Sequence, residues 1–197
     1  MIGSSPGADI SNIDPLLARN AAFAASDVRR NTPPLPFLPH RGLYLITCMD
    51  SRTDPADFLG LEFGEAIVAR TVGGRVTPAV IQGVAFIGHL VESKAPDGPY
   101  FEAAIIHHTD CGSVMLADEE LRRGLAERTG SDEQALAELA VFDPAATVRA
   151  DVDRLLSAPG ISPHITVSGH VYDVDTGLLT TIVAPRSPTG SPPAGAA

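Results

Sequence analysis

Three short runs between residues 43 and 108 are nearly continuous in apolar character: LYLIT at 43–47, AIVAR at 66–70 and AAIIHH at 103–108. A fourth strand-like run, HITVSG, follows at 164–169. The first three lack polar alternation, which is the pattern of strands covered on both faces within a parallel sheet. Helix-like segments separate them. TPAVIQGVAFIGHLVES (77–93) lies between the second and third runs, and DEELRRGLAER (118–128), SDEQALAELAVF (131–142) and PAATVRADVDRLLSA (144–158) precede the fourth. Strand and helix in alternation predict an α/β domain with a parallel central sheet of about four strands flanked by helices. GHVYDVDTGLLTTIV (169–183) forms two strand-like runs around Asp175-Thr176-Gly177, which predicts a β-hairpin carrying an added antiparallel edge strand.

Outside this block the pattern changes. DPLLARNAAFAAS (14–26) predicts an N-terminal helix, with Asp14 as N-cap and Pro15 at the first helical position. A Pro-rich connector, NTPPLPFLPHRG, leads from it to the first strand. The composition after Pro185 is mostly Pro, Gly, Ser and Ala without periodicity, as in a disordered tail. The expected organisation is an N-terminal helical arm at 1–36, an α/β domain at 37–184 and a tail at 185–197.

Charge narrows the function. Lys and Arg number 14 against 24 Asp and Glu, a formal net charge of -10, so a phosphate backbone or an anionic membrane surface is repelled on average. No nucleic-acid or membrane partner is expected. The longest apolar stretch, Ala79 to Val91, is broken by Gln82 and His89 and is too short to span a bilayer. A basic segment followed by an apolar one is missing from the first residues, which leads to the expectation of a cytoplasmic, reducing location. There the two cysteines, Cys48 and Cys111, serve as thiols or metal ligands rather than as a disulfide.

AIIHHTDCG (104–112) holds the densest chemistry. On a strand His107 and His108 point to opposite faces, so one of them, His108, shares a site with Cys111 across a tight turn. Cys48, in LYLITCMDSR, ends another buried strand, and open α/β sheets build their sites at such carboxyl ends. Cys48, His108 and Cys111 form a set suited to zinc, with one tetrahedral position left open, as in catalytic sites. Asp50 and Arg52 stand two and four residues beyond Cys48. Either Asp50 fills the fourth position, or Arg52 holds the carboxylate aside and water binds zinc instead, its pKa lowered towards neutrality. Two thiolates offset the zinc charge, so activity is expected to rise on the alkaline side of neutral. Asp173 and Asp175 imitate the start of a calcium loop, but the remaining ligands are missing and a turn is expected.

CMDSR, a C-x-D-x-R pattern, followed sixty residues later by HTDCG as H-x-x-C-G, resembles the β-class carbonic anhydrases. GEAIVARTVGGRV (64–76) and GHVYDVDTGLLTTI extend the resemblance from about Leu35 to Ile182. It implies Cys48, His108 and Cys111 as zinc ligands. Asp50 and Arg52 become the dyad in which arginine withdraws the aspartate and the aspartate orients a zinc-bound hydroxide. Gly112 becomes a backbone N–H donor to substrate. The implied reaction is reversible hydration of carbon dioxide to bicarbonate and a proton, in a homodimer or higher homo-oligomer whose N-terminal helix embraces a second subunit. As histidines, His107 or His89 could pass the proton to solvent, but each reads first as a structural histidine satisfied by hydrogen bonds.

The chain departs from the family pattern in places. Thr71-Val72 replace Asn-Ala after Arg70, Glu65 replaces Asp after Gly64, a glutamine found in plant-type members is missing between Pro36 and Arg41, and Trp is absent. Alternative readings keep the zinc site but assign it to carbon disulfide or carbonyl sulfide hydrolysis, or to a zinc-binding protein without turnover. The roles of Glu62, Arg70 and Arg75 stay open.

Overall fold

The structure, a computed structural model, describes residues 11–98 and 100–188. The chain divides after Pro36 into two compact units. The first holds α1 (Asp14–Ala24), with Pro15 in its first turn, and α2 (Asp27–Asn31), whose N-cap Ser26 accepts from the Arg29 N–H at 3.2 Å. Within this unit neither helix buries a residue.

The second unit runs β1 (Leu43–Cys48), α3 (Pro55–Leu59), β2 (Ala66–Thr71), α4 (Pro78–Lys94), β3 (Glu102–His108), α5 (Glu119–Thr129), α6 (Glu133–Ala137), α7 (Pro144–Ser157), β4 (Thr166–Tyr172) and β5 (Leu179–Arg186). Short 3-10 turns cover Val72–Gly74 and Gly112–Ala117. The strands are ordered β2-β1-β3-β4-β5. The first four are mutually parallel and β5 pairs antiparallel with β4, so the expected α/β architecture with its antiparallel edge holds. Polar caps set where the crossover helices start: Thr77 precedes Pro78 of α4, and Asp143 accepts from the N–H groups of Ala145 and Ala146 at 2.9 and 3.0 Å.

Both sheet faces are covered, which accounts for the unbroken apolar runs. Ile46, Ala103, Ile105 and Val167 meet Val80, Val84 and Ile87 of α4 and Val148, Val152 and Leu155 of α7. Alternate positions, Leu45, Ala104, Ile106 and Tyr172, pack on the other face with Phe58 of α3. Gly169 is what lets α7 lie so close to β4: a Cβ there would sit 3.0 Å from Val152 and 3.2 Å from Val148.

Boundaries differ from the sequence pattern in three places. At the start of α1 the N-cap is Ile13, without a side-chain bond, and Asp14 is the first helical residue rather than the cap. The helix expected across 131–142 stops at Ala137, because the Glu138 and Ala140 carbonyls turn inward to accept from Arg75 Nη1 and so leave the helical ladder. The fourth strand begins later than its apolar run and continues to Tyr172, where β3 extends it by pairing His108 with Tyr172. It thereby absorbs the first arm of the hairpin. At the hairpin turn the Asp173 carboxylate accepts from the N–H groups of Asp175 and Thr176, at 3.0 and 2.9 Å, so it serves the turn. β5 carries the chain to Arg186. Most of the expected tail, residues 189–197, lies outside the described residues, as do the first ten residues of the arm.

Candidate metal centre

β1 and β3 are adjacent and parallel, so their carboxyl ends deliver Cys48 and His108 side by side. The chain then turns sharply at Asp110, in the left-handed region at φ 51°, and brings Cys111 back over the strand ends. Sγ of Cys48 and Sγ of Cys111 lie 3.9 Å apart, well beyond a disulfide. These two sulfurs and a nitrogen of His108 all fall within 4.8 Å of one another, the one such three-residue cluster among the described residues. All three residues are buried.

The loop after β1 is held in place from several sides. Thr53 donates its hydroxyl to the Cys48 and Asp50 carbonyls at 3.1 and 2.9 Å. Arg70 donates from Nε to the Cys48 carbonyl at 3.1 Å, from Nη2 to the Asp50 carbonyl at 2.6 Å and from Nη1 to Asp54 at 3.1 Å. The Asp50 N–H points to Cys48 Sγ at 3.5 Å. Gly73 and Gly74, both at φ +68°, let the 3-10 turn after β2 press against these atoms. A Cβ on Gly74 would lie 3.1 Å from Cys48 N, and one on Gly73 would lie 2.7 Å from the Leu139 carbonyl. Val141 packs on the two cysteines and gives them an apolar wall.

The electrostatics split the two sulfurs. The hydrogen bond shared with Cys111 and burial raise the Cys48 thiol, while the same bond, with His108 and Ser113 nearby, lowers Cys111 well below the usual thiol range. Asp50 is caught by Arg52, with Nε 3.0 Å from Oδ1 and Nη2 2.8 Å from Oδ2. The Arg52 backbone N–H adds a bond at 2.9 Å, and together these hold the carboxyl well below the ordinary aspartate range. The structure thus brings Cys48, His108 and Cys111 together, with Asp50 beside them on its arginine. Gly112, exposed, heads the 3-10 turn after Cys111, with nothing within 4 Å of where a Cβ would stand.

His107 faces away from this cluster and is fully buried, as strand alternation requires. Its Nδ1 lies 2.8 Å from Thr147 Oγ1 and its Nε2 3.2 Å from the buried Asp151 carboxylate. Arg75 grips that carboxylate from the other side, at 2.7 and 3.2 Å. His107 is therefore a structural histidine, whereas His89 is exposed on α4. Glu62 is also exposed, and its backbone bonds Glu65 twice, its N–H donating to the Glu65 carboxylate at 2.9 Å and its carbonyl accepting from the Glu65 N–H at 3.3 Å. Sequence reasoning missed Thr53, Asp110, Ser113 and Val141; Asp110 lies inside HTDCG, Thr53 and Ser113 directly follow CMDSR and HTDCG, and only Val141 stood apart from both motifs.

Residues 43–179 match the sequence model of the carbonic anhydrase family. Over 169 residues the chain is 31% identical to beta-carbonic anhydrase 1 of Mycobacterium tuberculosis, covering 86% of this chain and 96% of that protein. The chain belongs to the β-carbonic anhydrase family. Its fold superposes on that of a carbonic anhydrase from Streptococcus mutans with a TM-score of 0.72 at 32% identity, covering 88% of this chain and 98% of that one. A carbon disulfide hydrolase from Acidianus sp. is a further relative, 26% identical over 71% of this chain and 76% of its own.

β-Carbonic anhydrases use zinc, and the donors of this enzyme fit that ion. His108 Nδ1 is committed to the Thr109 carbonyl at 2.8 Å, which requires the proton on Nδ1 and leaves the lone pair on Nε2. That buried Nε2 has no hydrogen-bond partner within the protein. One imidazole nitrogen and two sulfurs converging in an apolar pocket form a borderline-soft set. Among the described residues no helix is long and apolar enough to cross a membrane.

Proposed function

We propose that this enzyme catalyses the reversible hydration of carbon dioxide to bicarbonate and a proton, with zinc held by Cys48, His108 and Cys111. The observation that carries this reading is the capture of Asp50 by Arg52 beside a three-donor cluster, which leaves a tetrahedral ion one ligand short. Zinc in this set supplies a Lewis acid that lowers the pKa of coordinated water, less strongly than among imidazoles alone because two thiolates offset its charge. Arg52 keeps Asp50 ionised and therefore acceptor-only, so Asp50 takes a hydrogen bond from the attacking oxygen and aims it at the substrate carbon. The Gly112 N–H, next to a ligand, donates to an oxygen of the substrate or of bicarbonate. Val141 and the buried strand ends keep the surroundings apolar, as a small nonpolar substrate requires.

Residues 37–184 carry the catalysis in this reading. The two helices of the arm bury none of their residues, and we assign the arm at 1–36 to contact with a second copy in a homodimer. The two unbridged, buried cysteines are consistent with a reducing cytoplasm.

The likeness to the Acidianus carbon disulfide hydrolase favours a second reading, hydrolysis of carbon disulfide by the same residues. A parallel assay decides between them: hydration of carbon dioxide and hydrogen sulfide release from carbon disulfide, measured on one zinc-verified preparation. The proposal expects turnover in the first and background in the second; the reverse result moves the assignment to the sulfur substrate.

A further inference from the structure

Asp110 has no part in the chemistry assigned above, yet it is the one non-glycine residue with positive φ among the described residues. Aspartate tolerates the left-handed region better than most residues, but the conformation still carries a cost that its surroundings must offset. What the turn achieves is visible at its neighbour. It directs both acceptors of Asp110 at Arg52: Nη1 donates to Oδ2 at 2.8 Å and Nη2 to the main-chain carbonyl at 2.9 Å. The adjacent edge of the same guanidinium, through Nε and the shared Nη2, is on Asp50.

Arg52 is thus a rigid fork fixed from two loops. One follows β1, next to Cys48 at the strand end, and carries Asp50; the other follows β3, next to His108 at the strand end, and carries Asp110 and Cys111. A guanidinium free on its outer edge would swing with its flexible stem, and Asp50 would follow or be released. Anchoring both edges removes that freedom. We propose that Asp110 is a positioning residue for the Asp50–Arg52 pair: from the ligand loop it pins the guanidinium so that Asp50 stays on arginine rather than on the metal. This rests on the reading of the site given above. The Asp110 carboxylate is 78% exposed, so its own contribution is modest and the effect is one of population rather than of assembly.

The test is a double-mutant cycle with two readouts. Asp110→Gly removes the carboxylate while accepting the left-handed backbone, and Asp110→Asn keeps a neutral acceptor as the conservative rescue. Each is placed in the wild-type and in an Arg52→Ala background, and carbon dioxide hydration is read beside the visible spectrum of the cobalt(II)-loaded protein. The expected result is a loss in kcat/KM of about two- to fivefold for Asp110→Gly, smaller for Asp110→Asn, and no further loss once Arg52 is gone. The cobalt spectrum is expected to change in the same pattern, as Asp50 spends more time on the ion. An equal loss in both backgrounds, or a cobalt spectrum identical in wild type and Asp110→Gly, overturns the proposal. If the spectra follow the pattern while no protein hydrates carbon dioxide, the positioning role stands and the assigned reaction fails.

Discussion

Arg52 holds Asp50 through a side-on pair of bonds, Nε to Oδ1 at 3.0 Å and Nη2 to Oδ2 at 2.8 Å, four residues downstream of Cys48. Such a fork needs two nitrogens in one plane, which lysine lacks. Arg52→Lys is therefore expected to keep its zinc but lose about 10- to 100-fold in carbon dioxide hydration, the usual cost of disturbing a group that orients metal chemistry. Metal analysis and stopped-flow rates on the same sample check this. Wild-type turnover in the lysine variant contradicts a geometric role for the guanidinium.

The Asp151 carboxylate is fully buried between Arg75 and His107. Burial alone would raise it, but the His107 imidazole and the Arg75 guanidinium beside it outweigh burial and lower it. Asp151→Asn leaves Arg75 without its counter-charge and is expected to destabilise the fold by about 3 kcal/mol in urea denaturation. The sign of the pH effect follows. A depressed native value stabilises the protein above the unfolded aspartate range of about 4 and loses that stability as pH falls through the native value. The wild type should lose stability more steeply than Asp151→Asn on acidification, and parallel curves would rule the linkage out.

Gly73 sits at φ +68°, where a Cβ would press within 2.9 Å of Ser113 Oγ and still closer to the Leu139 carbonyl. Backbone strain and a clash with main chain act together, so Gly73→Ala is expected to cost about 2 kcal/mol or more. It should also weaken zinc binding, because Ser113 and the Cys48 loop move with it. Thermal melting and competition with a chelator measure the two effects.

The sulfur pair makes a prediction for the metal-free protein. With Cys48 raised and Cys111 lowered, one proton stays between them at neutral pH. Ultraviolet thiolate absorbance is expected to report about one thiolate per chain, lost in Cys111→Ser. Two thiols, or two thiolates, at neutral pH would each contradict this picture.

Much of the fold was legible because both-face burial writes itself as unbroken apolar runs such as LYLITC and AAIIHH, and Pro at positions 78 and 144 marks the helix starts. The site was legible for a related reason: Cys48 and His108 end adjacent strands, so proximity follows from topology once the strands are recognised. What stayed hidden depends on contacts remote in sequence. Nothing local in SDEQALAELAVF signals that Arg75, some sixty residues earlier, draws the Glu138 carbonyl out of the helix. Likewise Val141 becomes a wall of the metal pocket only because that loop is pulled inward. Arg70 and Arg75 were recognisable as charges of uncertain purpose, and their partners, two backbone carbonyls and Asp54 in one case and a buried carboxylate in the other, emerge only in three dimensions.

The central claim is that Cys48, His108 and Cys111, with Asp50 held on Arg52, form a working hydration site. Stopped-flow carbon dioxide hydration by zinc-verified protein from about pH 7 to 9, beside Asp50→Ala, tests it most directly. The account predicts turnover well above the buffer rate that rises with pH in the wild type and collapses in the variant. Fully zinc-loaded protein with no turnover anywhere in that range would contradict it.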